Sequence, residues 1–513
     1  MTKIKKALIS VWDKTGLVEM AQFLSDNDIE IISTGGTKRI LEEAGLDVKS
    51  VTDVTKQNEI MDGRVKTLHP LLFGGILADR NNNEHLHDLE KLSTSFIDLV
   101  IVNLYPFESE AVAKKLDLDK AIEFIDIGGP SLLRAAAKNN KHVIPLCDPK
   151  QYEDFINIYN QNNGLIPVEN RITFAKEVFM LTSSYDSMIG KYLVGQNDLE
   201  DNLNLEYSKS NSLRYGENPH QNSTFYIKNT DQPIFKQLHG KQLSYNNYFD
   251  IESAVGIVYE FEELSCAIVK HSNPCGFGLG KDNLIAYKNA VSTDPVSYFG
   301  GIVAFNREVD IDVANELNKS FLECVVAPSF TAESKEILMK KKNVRLITIS
   351  KSKFSSLQKI PLMRTVFNGL LIQDRDQFHR DENSFEVVSN RKPNDSELKA
   401  LILGWKLVKF VKSNAIVFNN HEKLLGIGAG QMSRIDSVKI GARKSNENSL
   451  NLKGAMMASD AFFPFPDSIE LANKYGIQGV IQPGGSIKDE EVVKVVNKLD
   501  LIMVLTKERH FYH

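Results

Sequence analysis

Short apolar runs alternate with helical patterns along the first part of the chain. Ala7–Val11 is a compact apolar run, after which Leu17, Met20, Ala21 and Leu24 recur at helical spacing. Ile29–Ile32 is a second run, closed by Ser33-Thr34-Gly35-Gly36-Thr37, and the pattern then predicts a helix over Lys38–Ala44 that stops near Gly45. Asp98–Asn103 and His142–Cys147 read as further strands, and Pro130–Asn139 and Thr173–Tyr192 as helices. Strands that alternate with helices predict a mostly parallel sheet covered on both faces. From Gly195 to Ser212 the chain turns polar and Asn-rich, which marks a linker and divides the chain into domains 1–199 and 200–513. The second part is long for one core and predicts two packed subdomains, with the polar stretch 383–395 as a weak divider. No internal repeat is visible.

Composition narrows the class. The chain has 513 residues and a formal charge of −5, so no basic balance points to nucleic acid, and anionic ligands must be held by local cations and helix ends. Cys147, Cys266, Cys275 and Cys324 are too scattered for a disulfide framework, which favours a reducing cytoplasm. No apolar stretch reaches the ~18 residues of a membrane span. The basic start before Ala7–Trp12 reads as the lead-in to a buried strand and not as a targeting segment.

Candidate chemistry gathers where strands end. In an open α/β sheet, ligands sit outside the carboxyl ends of the strands. Ser10 to Lys14 closes the first strand. Ser33 to Thr37 closes the second and has the makings of an anion nest, though it reads equally as a capped strand–helix turn. Arg64, Lys66 and His69 crowd one segment with Thr67, and three cations together call for an anion unless the loop is simply solvated. Tyr105 follows the Asp98–Asn103 strand, Asp126 precedes a Gly-Gly-Pro helix start, and Lys138 near that helix's end also fits a dipole-favoured cation. In the second part, Arg214-Tyr215 opens a turn-rich loop. Lys270-His271 leaves the strand-like run Cys266–Val269 as a proton-transfer pair or as plain surface. Pro274-Cys275 lacks the second cysteine of a zinc deaminase, so no metal is expected. Gly426-Ile427-Gly428-Ala429-Gly430-Gln431 lacks the small residue a dinucleotide fingerprint needs at 431. Its flanks, Ala415–Phe418 and Leu424–Ile427, read as a hairpin.

GRVKTLHP, NLYPF, IDIGG and RAAAKN, in that order, resemble the IMP cyclohydrolase domain of the bifunctional purine enzymes. RYGENPHQ, KHSNPCG, SNAIVFNN, GIGAGQMSR, SDAFFPFPD, QPGGS and the terminal RHFYH resemble AICAR transformylase. The resemblance implies an α/β protein: a methylglyoxal-synthase-like parallel domain, then a transformylase domain of two cytidine-deaminase-like subdomains without their metal. It implies formyl transfer from 10-formyltetrahydrofolate to the 5-amino group of AICAR, followed by dehydrative closure of formyl-AICAR to IMP, in a cytoplasmic homodimer. By the same resemblance Lys66 faces the formyl oxygen, and Asp126, Lys138 and Tyr105 handle protons. Ser10, Lys14, Thr34, Gly35, Gly36, Thr37, Arg64 and Thr67 hold the nucleotide of the first site. For the second site it implies Lys270 and His271 as the proton pair and Asn414 on the formyl oxygen, with Arg214, Tyr215, Arg434, Phe462 and Arg509 on the nucleotide. A nucleotide-sensing regulator on the same folds is the alternative.

Overall fold

The structure, a computed structural model, describes residues 3–194, 203–228, 233–378 and 381–513. Packing divides it into two compact units, Met1–Glu206 and Tyr207–His513. Residues 195–202 of the expected linker lie outside the described residues.

The first unit is built on one parallel sheet. Its strands are β1 (Lys6–Ser10), β2 (Glu30–Ser33), β3 (Lys49–Ser50), β4 (Leu99–Val102) and β5 (Ile144–Leu146), in the order β3-β2-β1-β4-β5. Every side chain of β4 and β5 is buried, the mark of a sheet covered on both faces. One polar residue at the base of β4 is buried with them. Asp98 accepts the Lys5 and Lys6 backbone N–H groups at 2.7 and 2.9 Å and pairs with Arg80 at 2.7 Å, so its charge is matched. The strand order reverses between β1 and β4, which is where such a sheet opens a crevice. One expected helix starts earlier than the pattern suggested. It spans Gly128–Lys138, with Pro130 inside the first turn, where its missing N–H costs nothing.

The second unit opens with the hairpin β6 (Tyr207–Ser212) and β7 (Thr224–Lys228). Two six-stranded sheets follow. The first holds β8 (Lys236–His239), β9 (Ser265–Lys270), β10 (Asn273–Leu279), β11 (Ile302–Phe305), β12 (Cys324–Ala327) and β13 (Arg345–Thr348). Its order is β10-β9-β11-β12-β13-β8. A hairpin of β14 (Leu362–Val366) and β15 (Gly369–Gln373) separates it from the second sheet. That sheet holds β16 (Glu386–Val387), β17 (Ile416–Asn419), β18 (Leu424–Gly428), β19 (Met456–Ser459), β20 (Gly479–Gln482) and β21 (Ile502–Leu505), in the order β18-β17-β19-β20-β21-β16.

The two sheets are the same fold used twice. Each has a leading edge strand, a helix, an antiparallel hairpin, and then three parallel strands linked by helices. This corrects the reading of no repeat. The surviving sequence signal is thin: Ala267-Ile268-Val269 matches Ala415-Ile416-Val417, and Gly276 and Gly428 stand opposite the central isoleucine of each. The glycines have a common cause. A Cβ on Gly276 would lie 2.2 Å from the Ala290 carbonyl oxygen, and one on Gly428 would lie 2.0 Å from that of Ser437. A helix packs so tightly on each hairpin that only glycine fits. The repeats meet at these hairpins, with Leu279 N–H donating to the Glu422 carbonyl at 2.7 Å and Thr293 Oγ1 to that of Leu424 at 2.7 Å.

Candidate active sites

In the first unit the crevice at the ends of β1, β2 and β4 gathers most of the expected residues. Ser10 and Thr34 join hydroxyls at 3.0 Å, and Thr37 Oγ1 accepts from Val11 N–H and from Lys14 Nζ, both at 3.2 Å. Thr34 stands at the N-cap of the helix Gly35–Glu43 but makes no side-chain cap bond, because its hydroxyl is turned to Ser10. The first N–H groups of that helix, at Gly35 and Gly36, therefore face the crevice without a side-chain acceptor, as an anion site requires. The Lys66 ammonium lies 3.6 Å from where a Gly35 Cβ would stand, so it sits over the same helix end. Burial lowers the Lys14 pKa, and the nearby Lys66 charge lowers it further.

Asp126 closes the other side. Its Oδ1 accepts from Gly129 N–H at 2.8 Å, and its own N–H donates to the Tyr185 phenol at 2.9 Å. Burial raises its pKa, against the pull of the Gly129 and Tyr105 hydrogen bonds and the Lys66 charge. Burial also raises the pKa of Tyr105, and the Asp126 charge adds to it. Lys66, Asp126 and Tyr105 thus form one electrostatic cluster. Thr67 packs on the next turn, with Oγ1 2.5 Å from a Cβ placed on Gly128.

Two expectations meet a different geometry. Arg64, His69 and Lys66 do not converge on one anion: Arg64 is held by both Glu123 oxygens at 2.6 Å, and His69 caps the helix Pro70–Leu77 by accepting from Leu71 N–H at 3.2 Å. Arg64 and His69 thus each have a local partner of their own. Lys138 is exposed at the far end of its helix from Asp126, about 15 Å along the axis at 1.5 Å per residue. The structure does not bring it to the cluster. Two residues outside the expected set hold the site together. Asn103 accepts from Trp12 and Asp13 N–H at 2.5 and 2.9 Å, pinning the loop after β1, and Tyr185 anchors the Asp126 backbone.

In the second unit, Lys270 ends β9 and its Nζ donates to the carbonyls of Phe299 and Ser297 at 3.0 and 3.4 Å. His271 follows on the exposed hairpin turn. The second repeat approaches through Lys412, whose N–H donates to Asn273 Oδ1 at 3.0 Å, which brings Ser413-Asn414 beside the turn. Asn414 Nδ2 donates to the Gln431 carbonyl at 2.9 Å, and its own carbonyl accepts from Ser437 Oγ at 2.8 Å. Arg434 departs from the expected nucleotide contact. It is 9% exposed and turned inward, with Nη1 on the buried Asp460 at 2.9 Å and Nε on the Phe462 carbonyl at 3.4 Å. Asp460 also binds the Ser413 hydroxyl, so this buried pair braces the segment that carries Asn414. Arg214 and Arg509 are exposed and lie over the rings of Tyr215 and Phe511, and Phe462 is exposed as well. Among the described residues, no three His, Cys, Asp or Glu side chains gather as metal ligands, and no helix is long and apolar enough to cross a membrane.

The family model described as AICARFT/IMPCHase bienzyme matches residues 136–444, and that of the MGS-like domain matches residues 16–131. The chain is 47% identical over 515 residues to the bifunctional purine biosynthesis protein PurH of Bacillus cereus (strain ATCC 10987 / NRS 248), covering 99% of this chain and 100% of that one. It is equally similar, over the same shares, to PurH of Bacillus thuringiensis (strain Al Hakam). The crystal structure of ForH aligns at 33% identity with a TM-score of 0.34, over 38% of this chain and all of that one. With a bienzyme model matching more than half of its length and full-length relatives at 47% identity, the chain belongs to the AICARFT/IMPCHase bienzyme family.

Proposed function

We infer that this chain performs the last two steps of IMP synthesis in two separate sites: formyl transfer in Tyr207–His513 and ring closure in Met1–Glu206. The family supplies the two activities and the folate formyl donor, which we take as 10-formyltetrahydrofolate. The observation that carries the division is that each compact unit holds its own cluster of cations beside an acceptor of protons.

In the transfer step the 5-amino nitrogen of AICAR forms a bond to the formyl carbon, the bond from that carbon to folate N10 breaks, the amine gives up a proton and N10 takes one. The amine is a weak nucleophile, so His271 serves as its base, and Lys270 supplies the proton to the leaving nitrogen. Asn414 stabilises the formyl oxygen as it gains charge, and Arg214, Tyr215, Phe462 and Arg509 hold the ribotide. Arg434 acts by bracing the Asn414 segment. In ring closure the carboxamide nitrogen attacks the formyl carbon and water leaves. Ser10, Lys14, Thr34, Gly35, Gly36 and Thr37 cradle the phosphate, with Thr67 at its rim, while Arg64 stays paired with Glu123. Lys66 neutralises the developing oxyanion, and Asp126 and Tyr105 exchange the protons. A raised carboxyl pKa suits Asp126 to that work. Lys138 has no step in this scheme. A regulatory sensor finds no support, since the matching family is a bienzyme.

Apolar side chains exposed on the β14–β15 hairpin, Leu362, Phe367, Leu371 and Ile372, support a homodimer. The four free cysteines fit a cytoplasmic setting. The test feeds AICAR and 10-formyltetrahydrofolate and follows formyl-AICAR and IMP. Lys66→Ala is expected to accumulate formyl-AICAR. His271→Ala is expected to stop transfer yet still close supplied formyl-AICAR. Loss of both reactions in either folded variant would refute separate sites.

A further inference from the structure

β9 and β10 are joined by two residues, His271 and Ser272, and both have positive φ, 54° and 58°. Two-residue hairpin loops of this kind are normally filled by Asn and Gly, which tolerate the left-handed region. Serine does not favour it, and histidine adopts it only as an uncommon exception, so the surroundings must offset the cost, above all at Ser272. One side of those surroundings is the helix Tyr245–Tyr259. Asp250 accepts from Ser272 N–H at 2.6 Å and lies 3.5 Å from Ser272 Oγ, and Ser253 Oγ donates to the Ser272 carbonyl at 3.2 Å. The turn is therefore held at both the N–H and the C=O of one residue. From the other side, Asn273 Nδ2 donates to the His271 carbonyl at 3.1 Å, and the Tyr512 phenol engages the Ser272 side chain. The same helix start receives the loop that carries Arg214 and Tyr215, through Asn246 Nδ2 on the Glu217 carbonyl at 3.2 Å.

We propose that Asp250 is a positioning residue for formyl transfer: it fixes the left-handed His271-Ser272 turn and so aims His271 at the reacting amine beside Lys270, which serves the leaving nitrogen. This rests on the reading of Lys270 and His271 given above. Asp250 touches no reacting atom and acts through the turn alone. Burial raises its carboxyl pKa, opposed by the Ser272 hydrogen bonds and the neighbouring His271.

The test uses the full chain and reads kcat and KM for formyl transfer, with closure of supplied formyl-AICAR as the internal control. Small misplacements of reacting groups cost up to about 10²-fold, so Asp250→Ala is expected to lower transfer kcat by about tenfold or more, with KM within about twofold and closure unchanged. Asp250→Asn keeps an acceptor for Ser272 N–H and should retain at least about half of kcat. Glycine adopts positive φ without strain, so Asp250→Ala/Ser272→Gly should recover most of the loss, a rescue that a merely structural carboxylate would not allow. If Asp250→Ala does not accumulate folded, Ser272→Val attacks the same turn from outside the helix and should lower kcat alone. Wild-type kcat in Asp250→Ala or Ser272→Val, or no rescue by glycine, would overturn the positioning role. The reading of the pair fails separately, if His271→Ala keeps transfer.

Discussion

Asp126 has two employers, and they pull in opposite directions. As a carboxylate held by Gly129 N–H it caps a helix, and as a buried acid beside Lys66 and Tyr105 it handles protons. Its folded pKa lies above the ordinary 3.8. Between 3.8 and that raised value the native state binds more protons than the unfolded state, so its contribution to stability is present at low pH and lost as pH rises through the window. At neutral pH the charge is a net burden. Asp126→Asn keeps the acceptor for Gly129 and removes the charge. It should abolish ring closure while unfolding at a higher temperature than the native chain at pH 7, with the gain shrinking toward pH 4. Thermal unfolding at both pH values checks this, and an equal loss of stability at each would refute it. At this scale the site was readable where neighbours in sequence are neighbours in space, as in Ser33–Thr37. It was unreadable where a distant exposed residue intervenes: no spacing or composition ties Glu123 to Arg64, yet that pair decides where the guanidinium points.

Glycines in β10 and β18 decide how helices seat on the repeated hairpins. Gly428→Ala would push a methyl to within 2.0 Å of the Ser437 carbonyl oxygen, a backbone atom that cannot swing aside. Overpacking of this kind should cost about 3 kcal/mol. The loss should appear in urea unfolding of the second unit, with ring closure in the first unit untouched. Gly36→Ala meets nothing within 4 Å, so it serves as the unstrained comparison. The apolar runs at 415–418 and 424–427 carried enough signal to be read as a hairpin, and β17 and β18 pair antiparallel as expected. The reason for the glycines of β18 was hidden, because the partner helix presses with its main chain and main chain has no sequence signature. The Lys270-His271 turn was hidden for a related cause: its left-handed geometry is imposed by Asp250 and Ser253 from another element.

Two compact units with a reaction each predict that the chain can be divided. Met1–Glu206 and Tyr207–His513, produced separately, should each fold, the first closing formyl-AICAR and the second forming it. Mixing them should restore conversion of AICAR to IMP, and a fragment that folds but is inactive would show that the units depend on one another. Alternation of strands and helices was sufficient to foresee a parallel sheet in the first unit. The duplication in the second was implied by the family resemblance but not visible as a repeat, because a repeated backbone course demands only apolar runs at matching places and glycine where helices press. Nearly every other position was free to diverge.

That duplication also governs solubility. β10 and β18 are outer strands of their sheets, and each hairpin lies against the other, with Gly278 bridged to Lys423. A piece cut from the chain with only one of the two copies would leave an unpaired strand border open to water, the kind of edge that recruits other chains into aggregates. The second copy thus doubles as a cover for the first, and a shortened version of this region should precipitate before it could be assayed.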